Sequence, residues 1–493
     1  MNKLLYDDSD EKSIFEYAKQ LEGHDFQWVL DLGIAPDDKR TDYSSKNYKG
    51  AMGNLLEERY FGYPKNSDER PDFPKVGMEL KSTPLDFKKK KRVWQPGERL
   101  VITMIPFDKE LEDEYEDSHL ASKLDKVLLV FYKRVKDADS YTQKICRVIM
   151  LDIPERDMDV IKEDYRKIAS IVQAGKAEEL SESLTNYLGA CTKGSKAAKS
   201  FAQQFYPPHK KAKRRAFCLK NSYMKYYWEH YVLGLEELDA VQLETLSSEE
   251  TFESLIERKI EENVGKTDKE LAELAGIPYI KDNKARTAQI IRKLLGVKTS
   301  NIAEFEKSNT ELRVVRLENN LKSLRESISL KTQTFQSLLE EAEWEESKLY
   351  EYFSQKRFFF VVFKKEEDGT STLLGSRFWN MPVSDLDGPL RECWEKAREV
   401  IAEGVKFNIK LRPNGEIWRI ENNLPGESDN PVAHMRPHAN KAAYMLYGDV
   451  NIGDIEKDAD ELPDGQKMTK QSFWLNKKYV YEILDIDELG DIN

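Results

Sequence analysis

The chain has 493 residues, of which 40% are hydrophobic and 34% charged, with a formal net charge of −12. That length exceeds what one hydrophobic core holds, so two or more domains are expected, and the apolar content excludes wholesale disorder. No run of about 18 apolar residues occurs, which excludes a membrane-spanning helix.

The start, Met1 to Asp8, turns acidic at once and lacks the apolar core of a signal peptide. Cys146, Cys191, Cys218 and Cys393 are spaced too widely for metal-type pairs, so free thiols in a reducing cytoplasm are expected. Residues 11–32 read as helical, with Ile14, Phe15, Ala18 and Leu21 recurring at helical spacing. A second helix is expected over Lys49–Phe61, with Met52, Leu55, Leu56 and Tyr60 on its apolar side and Glu57 beside that stripe.

The most informative stretch follows, Arg70-Pro71-Asp72-Phe73-Pro74-Lys75-Val76-Gly77-Met78-Glu79-Leu80-Lys81. Side chains alternate across a strand, so Glu79 and Lys81 leave one face while Met78 and Leu80 enter a core. Asp72 lies at the edge of the turn before them. Two carboxylates can hold a hard divalent cation through oxygen, and a lysine beside them can orient or deprotonate a water. The same spacing also describes a surface strand that happens to carry Glu and Lys, so the surrounding sequence has to decide.

Residues 99–105, 126–132 and 147–151 are short apolar runs that read as buried strands, and 160–188 reads as a helix. Helices alternating with buried strands predict an α/β fold with a mixed central sheet flanked by helices. The acidic balance is not uniform. Leu188–Lys220 holds nine Lys or Arg and no Asp or Glu, and Lys88–Arg92 is a second basic run. Local potential, not total charge, steers a polyanion.

An acidic linker is expected over 236–252, and beyond it the pattern restarts. The helix Ala51–Gly62 finds an echo in Ala285–Gly296. Asp72-Phe73-Pro74-Lys75 with Glu79-Leu80-Lys81 is matched by Glu304-Phe305-Glu306-Lys307 with Glu311-Leu312-Arg313. Ala216–Lys220 is matched by Ser472–Asn476. The order is kept, so a duplicated domain is expected, with residues 1–235 and 253–493 as the two copies. In the second copy aspartate becomes Glu304, Glu57 becomes Ile291, and Lys81 becomes Arg313, whose guanidinium cannot act as a base. That copy is expected to bind DNA without cutting it, with Arg436 and His438 in the polar run Arg436–Lys441 suited to base edges or phosphates.

The residues Lys49-Gly50-x-x-Gly53-x-Leu55-Leu56-Glu57, then Asp72-Phe73-Pro74-x-x-Gly77-x-Glu79-Leu80-Lys81-x-x-Pro84, then Ser118-His119-x-x-x-Lys123-Leu124 resemble MutH, the GATC-nicking mismatch-repair nuclease. The doubled length resembles the MutH-like type II restriction endonucleases that cut GATC. The resemblance implies two restriction-endonuclease-like domains of the PD-(D/E)xK superfamily, the first active and the second silent. It implies Asp72, Glu79 and the Leu80 carbonyl as ligands of Mg2+, Lys81 over the attacking water, Glu57 as an auxiliary acid and Lys123 near the scissile phosphate. It also places the loop Leu188–Lys193 against the bases of GATC, with Lys193 the base-reading lysine, Thr192 beside it and Lys196 in the same basic block.

There are departures from the family pattern. Cys191-Thr192 stands where MutH has arginine and proline, a pair this chain keeps as Arg436-Pro437, and Cys218 stands at the family's methyl-sensing tyrosine. The Lys88–Arg92 run falls in an insertion. The expectation is a Mg2+-dependent restriction endonuclease acting on double-stranded DNA containing GATC, self-associating on DNA, with a companion DNA methyltransferase. The competing readings are a MutH-type repair nickase and a non-cleaving GATC-binding regulator.

Overall fold

The computed structural model describes residues 4–32, 51–63, 70–193, 200–240, 251–297, 301–325 and 327–489. They pack as two compact units. The first takes in Met1–Glu237 together with Glu306–Asn309, and the second takes in Leu238–Phe305 and Thr310–Asn493.

The strands of the first unit are β1 (Glu79–Lys88), β2 (Val93–Pro96), β3 (Leu100–Met104), β4 (Val127–Arg134), β5 (Lys144–Met150), β6 (Leu188–Thr192), β7 (Phe201–Gln203), β8 (Lys211–Lys213) and β9 (Arg215–Leu219). They form a four-stranded sheet β2-β1-β4-β5, a three-stranded sheet β3-β9-β6 and the ribbon β7-β8. β1 runs parallel to β4, with Glu79 opposite Val127 and Lys81 opposite Leu129. The period of two divides β4 between two cores. Val127, Leu129 and Phe131 enter one cluster with the helix Glu155–Gln173, while Leu128 and Val130 enter another with Met78, Leu80 and the amino-terminal helices.

The second unit contains β10 (Thr310–Leu317), β11 (Ile328–Ser329), β12 (Arg357–Lys365), β13 (Ser371–Trp379), β14 (Phe407–Leu411), β15 (Ile417–Asn422), β16 (Ala433–Pro437), β17 (Tyr444–Leu446), β18 (Val450–Ile452), β19 (Ala459–Glu461), β20 (Lys467–Thr469) and β21 (Gln471–Leu475). β10 runs parallel to β12, as β1 does to β4, and the order β11-β21-β16 repeats β3-β9-β6. The phenylalanine-rich β12 is buried on both faces, Phe358 and Phe360 on one side and Phe359 and Phe363 on the other.

Several expectations need correction. The described residues of each unit are mixed α/β as expected, but they form several small sheets in place of one central sheet. β2 ends at Pro96, which has no N–H to extend a ladder, so the chain leaves the first sheet there and enters the second as β3. The helix expected over 11–32 is two helices, Glu11–Lys19 and Phe26–Asp31. Gly23, at φ 90°, breaks it, and its N–H donates to the Ile145 carbonyl on β5. The helix expected over 160–188 spans Glu155–Gln173, and the rest is turns. Buried Asp164 dictates this by accepting the N–H groups of Asn186, Tyr187 and Leu188 at 2.7, 2.6 and 2.9 Å. Glu57 lies on a π-helical turn, Leu56–Tyr60, that follows the short helix Ala51–Leu55. Residues 241–250 of the expected linker lie outside the described residues.

The four residues Glu306–Asn309 complete the first unit's core. Lys307 is 2% exposed and pairs at 2.6 Å with Asp157, itself 1% exposed. The ammonium lies 4.7 Å from the Tyr226 ring centre and 5.6 Å from those of Tyr187 and Tyr231. The hydroxyls of Tyr223 and Tyr231 donate to the other carboxylate oxygen of Asp157. No helix among the described residues is long and apolar enough to cross a membrane. The four cysteines are free thiols.

Candidate active site

Asp72 reaches the start of β1 by a tight reversal. The Phe73 N–H donates to the Met78 carbonyl at 2.8 Å, and Gly77 takes φ 69°, a backbone region that side chains disfavour. Phe73 anchors the turn, 1% exposed and edge-on to Phe61 and Tyr63. The chain doubles back so that the Leu80 N–H donates to Asp72 Oδ2 at 2.8 Å. An extended residue presents its N–H and C=O at the same strand edge, and β2 joins that edge only from Leu85 onward. The Leu80 carbonyl is therefore directed to the side where Asp72 sits.

Glu79 and Lys81 share the opposite side of the pleat from Leu80, as the spacing predicts. Glu79 is 3% exposed and is held by two ammonium groups, Lys81 Nζ on Oε1 at 2.5 Å and Lys123 Nζ on Oε2 at 2.8 Å. Lys123 comes from the helix His119–Leu124, capped by the Ser118 side chain, and also donates to the Arg70 carbonyl at 2.7 Å. The structure thus brings Asp72, Glu79, Lys81, Lys123 and Glu57 together. Arg70 escapes sequence reasoning because it contributes only a carbonyl.

Electrostatics mark this cluster out. Burial, then the charges of Asp72 and Glu79, push Glu57 up to about 7, with Lys81 opposing. Burial and then Glu79 raise Asp72, against the Leu80 amide and the two lysines. Carboxylates gathered at the cost of their own ionisation are a mark of functional sites. Among the described residues no three His, Cys, Asp or Glu side chains already converge as an ion cage. The donor set nevertheless suits a hard cation: Asp72, Glu79 and the Leu80 carbonyl offer oxygen alone, and the mutual repulsion of the acids is what a bound cation relieves.

A cleft of about 400 Å3 opens beside Lys123, lined also by His119, Lys109, Asp108 and Arg214. Arg214 leads to the expected base-reading loop, since its carbonyl accepts the Lys193 N–H at 2.9 Å. Thr192 ends β6 opposite Arg215, and exposed Lys193 follows it. Lys196 lies outside the described residues. Arg214 and Lys109 were singled out by no motif, because the cleft forms only when β3 and β9 pair.

In the second unit, Glu311 occupies the position of Glu79 and is held by Arg313 at 2.6 Å and Lys356 at 2.9 Å, with the Tyr352 hydroxyl at 3.0 Å. Burial opposes its charge, yet Arg313 and Lys356 keep it below the usual glutamate value. The segment carrying Glu304 is a helix, Ala303–Ser308, where the first unit has the Asp72 reversal. Ile291 is fully buried. Pro437 ends β16 as Thr192 ends β6, and the His438 N–H donates to the Lys470 carbonyl just as that of Lys193 donates to Arg214. Exposed Arg436 and His438 flank the Trp474 ring at 4.4 and 5.3 Å.

Comparison with known proteins follows this geometry. Residues 61–164 match the family of the DNA mismatch repair enzyme MutH, a span that contains Asp72, Glu79, Lys81 and Lys123. The chain is 34% identical over 462 residues to the type II restriction enzyme Sau3AI of Staphylococcus aureus, covering 89% of this chain and 92% of that one. The chain belongs to the Sau3AI-like family of type II restriction enzymes. It is also similar to the DNA mismatch repair protein MutH of Pectobacterium atrosepticum, 23% identical over 35% of this chain and 70% of that one. The MutH of Vibrio campbellii is 25% identical over 35% of this chain and 71% of that one. Within this Sau3AI-like chain, the MutH family match falls wholly in the first half.

Proposed function

We propose that this chain is a Mg2+-dependent restriction endonuclease that hydrolyses double-stranded DNA at GATC, leaving 5′-phosphates and 3′-hydroxyls. The observation that carries this reading is the meeting of Asp72, Glu79 and Lys81 at the start of β1, with Asp72 hydrogen-bonded to the strand it faces. Asp72, Glu79 and the Leu80 carbonyl would hold the cation, which supplies charge neutralisation at the scissile phosphate and acidifies water. Lys81 positions the attacking water in line with the phosphorus. Lys123 holds Glu79 and lines the cleft, so its charge would act on a phosphate bound there. Positioning and preorganised charge carry the rate. Lys193, with Thr192 and Lys196, reads the bases, and guanine O6 and N7 are the acceptors that suit a lysine.

Residues 1–235 would then be the catalytic domain, 236–252 the linker, and 253–493 a catalytically silent MutH-like domain that binds DNA as an effector through Arg436 and His438. What supports silence is that the partner of Glu311 in the place of Lys81 is Arg313, whose guanidinium stays protonated, and that the Glu304 segment is helical where the first unit has the Asp72 reversal. One active site per chain calls for two chains on the DNA, or for one chain that nicks twice. Sedimentation with and without a GATC duplex tests this, and a lone monomer making double-strand breaks in one encounter would contradict it. The enzyme acts in the cytoplasm, beside a methyltransferase that protects the host's GATC sites. Digestion of methylated and unmethylated plasmid with Mg2+ separates the readings: linear fragments support the proposal, nicked circles a repair nickase, and uncut DNA a binding regulator. Asp72→Ala and Lys81→Ala should abolish cutting and spare binding; cleavage by either variant rejects the assignment.

A further inference from the structure

β14 and β15 form a two-stranded ribbon in the second unit, closed by the turn Arg412-Pro413-Asn414-Gly415. At its root Phe407 and Ile420 pack on the core, Phe407 lying edge-on to Tyr444 with ring centres 6.4 Å apart. Side-chain alternation carries that same face outward through Ile409 and Leu411, which are 36% and 59% exposed, and Trp418 on the facing strand is 61% exposed. A bulge between Lys410 and Leu411 leaves Trp418 as the extra residue, and bulges of this kind re-aim a side chain. The opposite face carries Lys410 and Arg419, which share the single carboxylate of Glu421. Across 406–421 the cations Lys406, Lys410, Arg412 and Arg419 face only Glu416 and Glu421, in a chain whose net charge is −12. At the corresponding place in the first unit, between its helix Glu155–Gln173 and β6, lie only short turns.

We infer that the 407–422 ribbon is a DNA-binding element of the second unit, entering the major groove of a duplex with Leu411 and Trp418 on base edges and Arg412, Lys410 and Arg419 on phosphates. This rests on the reading that the second unit binds DNA. A two-stranded ribbon matches the width of that groove, where the thymine methyl is the apolar group a large side chain can touch. The local excess of cations complements the closely spaced phosphates of a duplex.

The test uses the full chain carrying Lys81→Ala, so that DNA stays uncut, and fluorescein-labelled GATC duplexes read by anisotropy and sedimentation. Two duplexes should bind per chain. Trp418→Ala and Arg412→Glu, both at exposed positions, should weaken the second by about tenfold and leave the first unchanged. Replacing thymine by deoxyuridine should shrink the effect of Trp418→Ala. If Arg436→Ala weakens the second duplex and neither ribbon variant does, the ribbon assignment falls while DNA binding by the second unit stands. If one duplex alone binds, both fall. If Trp418→Ala instead abolishes self-association without DNA, the ribbon is a protein interface and the inference is overturned.

Discussion

Lys123 Nζ lies 2.8 Å from Glu79 Oε2 and 2.7 Å from the Arg70 carbonyl, so one buried lysine ties β1 to the turn that presents Asp72. The lysines on Glu79 are not equivalent. The Lys123 side chain is 9% exposed and that of Lys81 21%. Lys123→Met should cost about 1–3 kcal/mol by taking a buried cation from the buried Glu79 carboxylate, whereas Lys81→Met, at a more exposed partner, should stay within about 1 kcal/mol. Both should lower cleavage by at least about 100-fold. Urea unfolding beside a plasmid assay makes the comparison, and equal stabilities would show that Lys123 is not the tie described here.

The acid cluster gives the metal-free chain a pH signature. Glu57 is raised from 4.5 to about 7 and Asp72 is raised as well. At low pH both are protonated whether the chain is folded or not. As pH climbs, the unfolded chain releases these protons before the folded one does. The stability this site contributes is therefore complete below about pH 4.5 and is lost as pH rises through about 7. Proton competition runs the other way for a cation, whose stabilising effect should grow across the same window. Calorimetric Tm values between about pH 5 and 8, with and without Mg2+, should diverge as pH rises, and Glu57→Gln should flatten the metal-free slope. Parallel curves would remove Glu57 from the cation's surroundings.

Lys307 and Asp157 make the most deeply buried ion pair described above. Lys307→Ala should destabilise the protein by about 3–5 kcal/mol, because Asp157 would be left charged among tyrosines. Lys307→Ala with Asp157→Asn should recover much of that loss. A double-mutant cycle in urea measures it, and additive losses would mean that the two residues do not couple.

Lys193→Ala should cost about 1–3 kcal/mol of discrimination between GATC and a one-base variant. Competitive binding on the two duplexes tests this. An unchanged preference would move base reading elsewhere along the cleft, to Arg214 first.

How much was legible in the sequence follows from what each residue needs. Glu79-Leu80-Lys81 was readable because a strand's period of two is local, and Asp72 because proline and glycine enforce its reversal. The small separate sheets were not readable, since the split occurs where Pro96 ends one ladder and β3 pairs with β9 far along the chain. The long helix predicted to Leu188 failed for a similar reason: Asp164 takes three amide N–H groups from residues 22 to 24 positions later. The repeat identified Glu311 and Arg313, but no local pattern shows that the Glu304 segment is helical or that Lys307 is caged.

That cage also bears on how such a chain can be divided. Four residues from beyond the acidic stretch supply the buried cation of Asp157, so the first unit's core depends on sequence that follows residue 237. A cut after residue 237 leaves a negatively charged hollow lined with phenols. A stop codon between the halves would be felt in the half already translated.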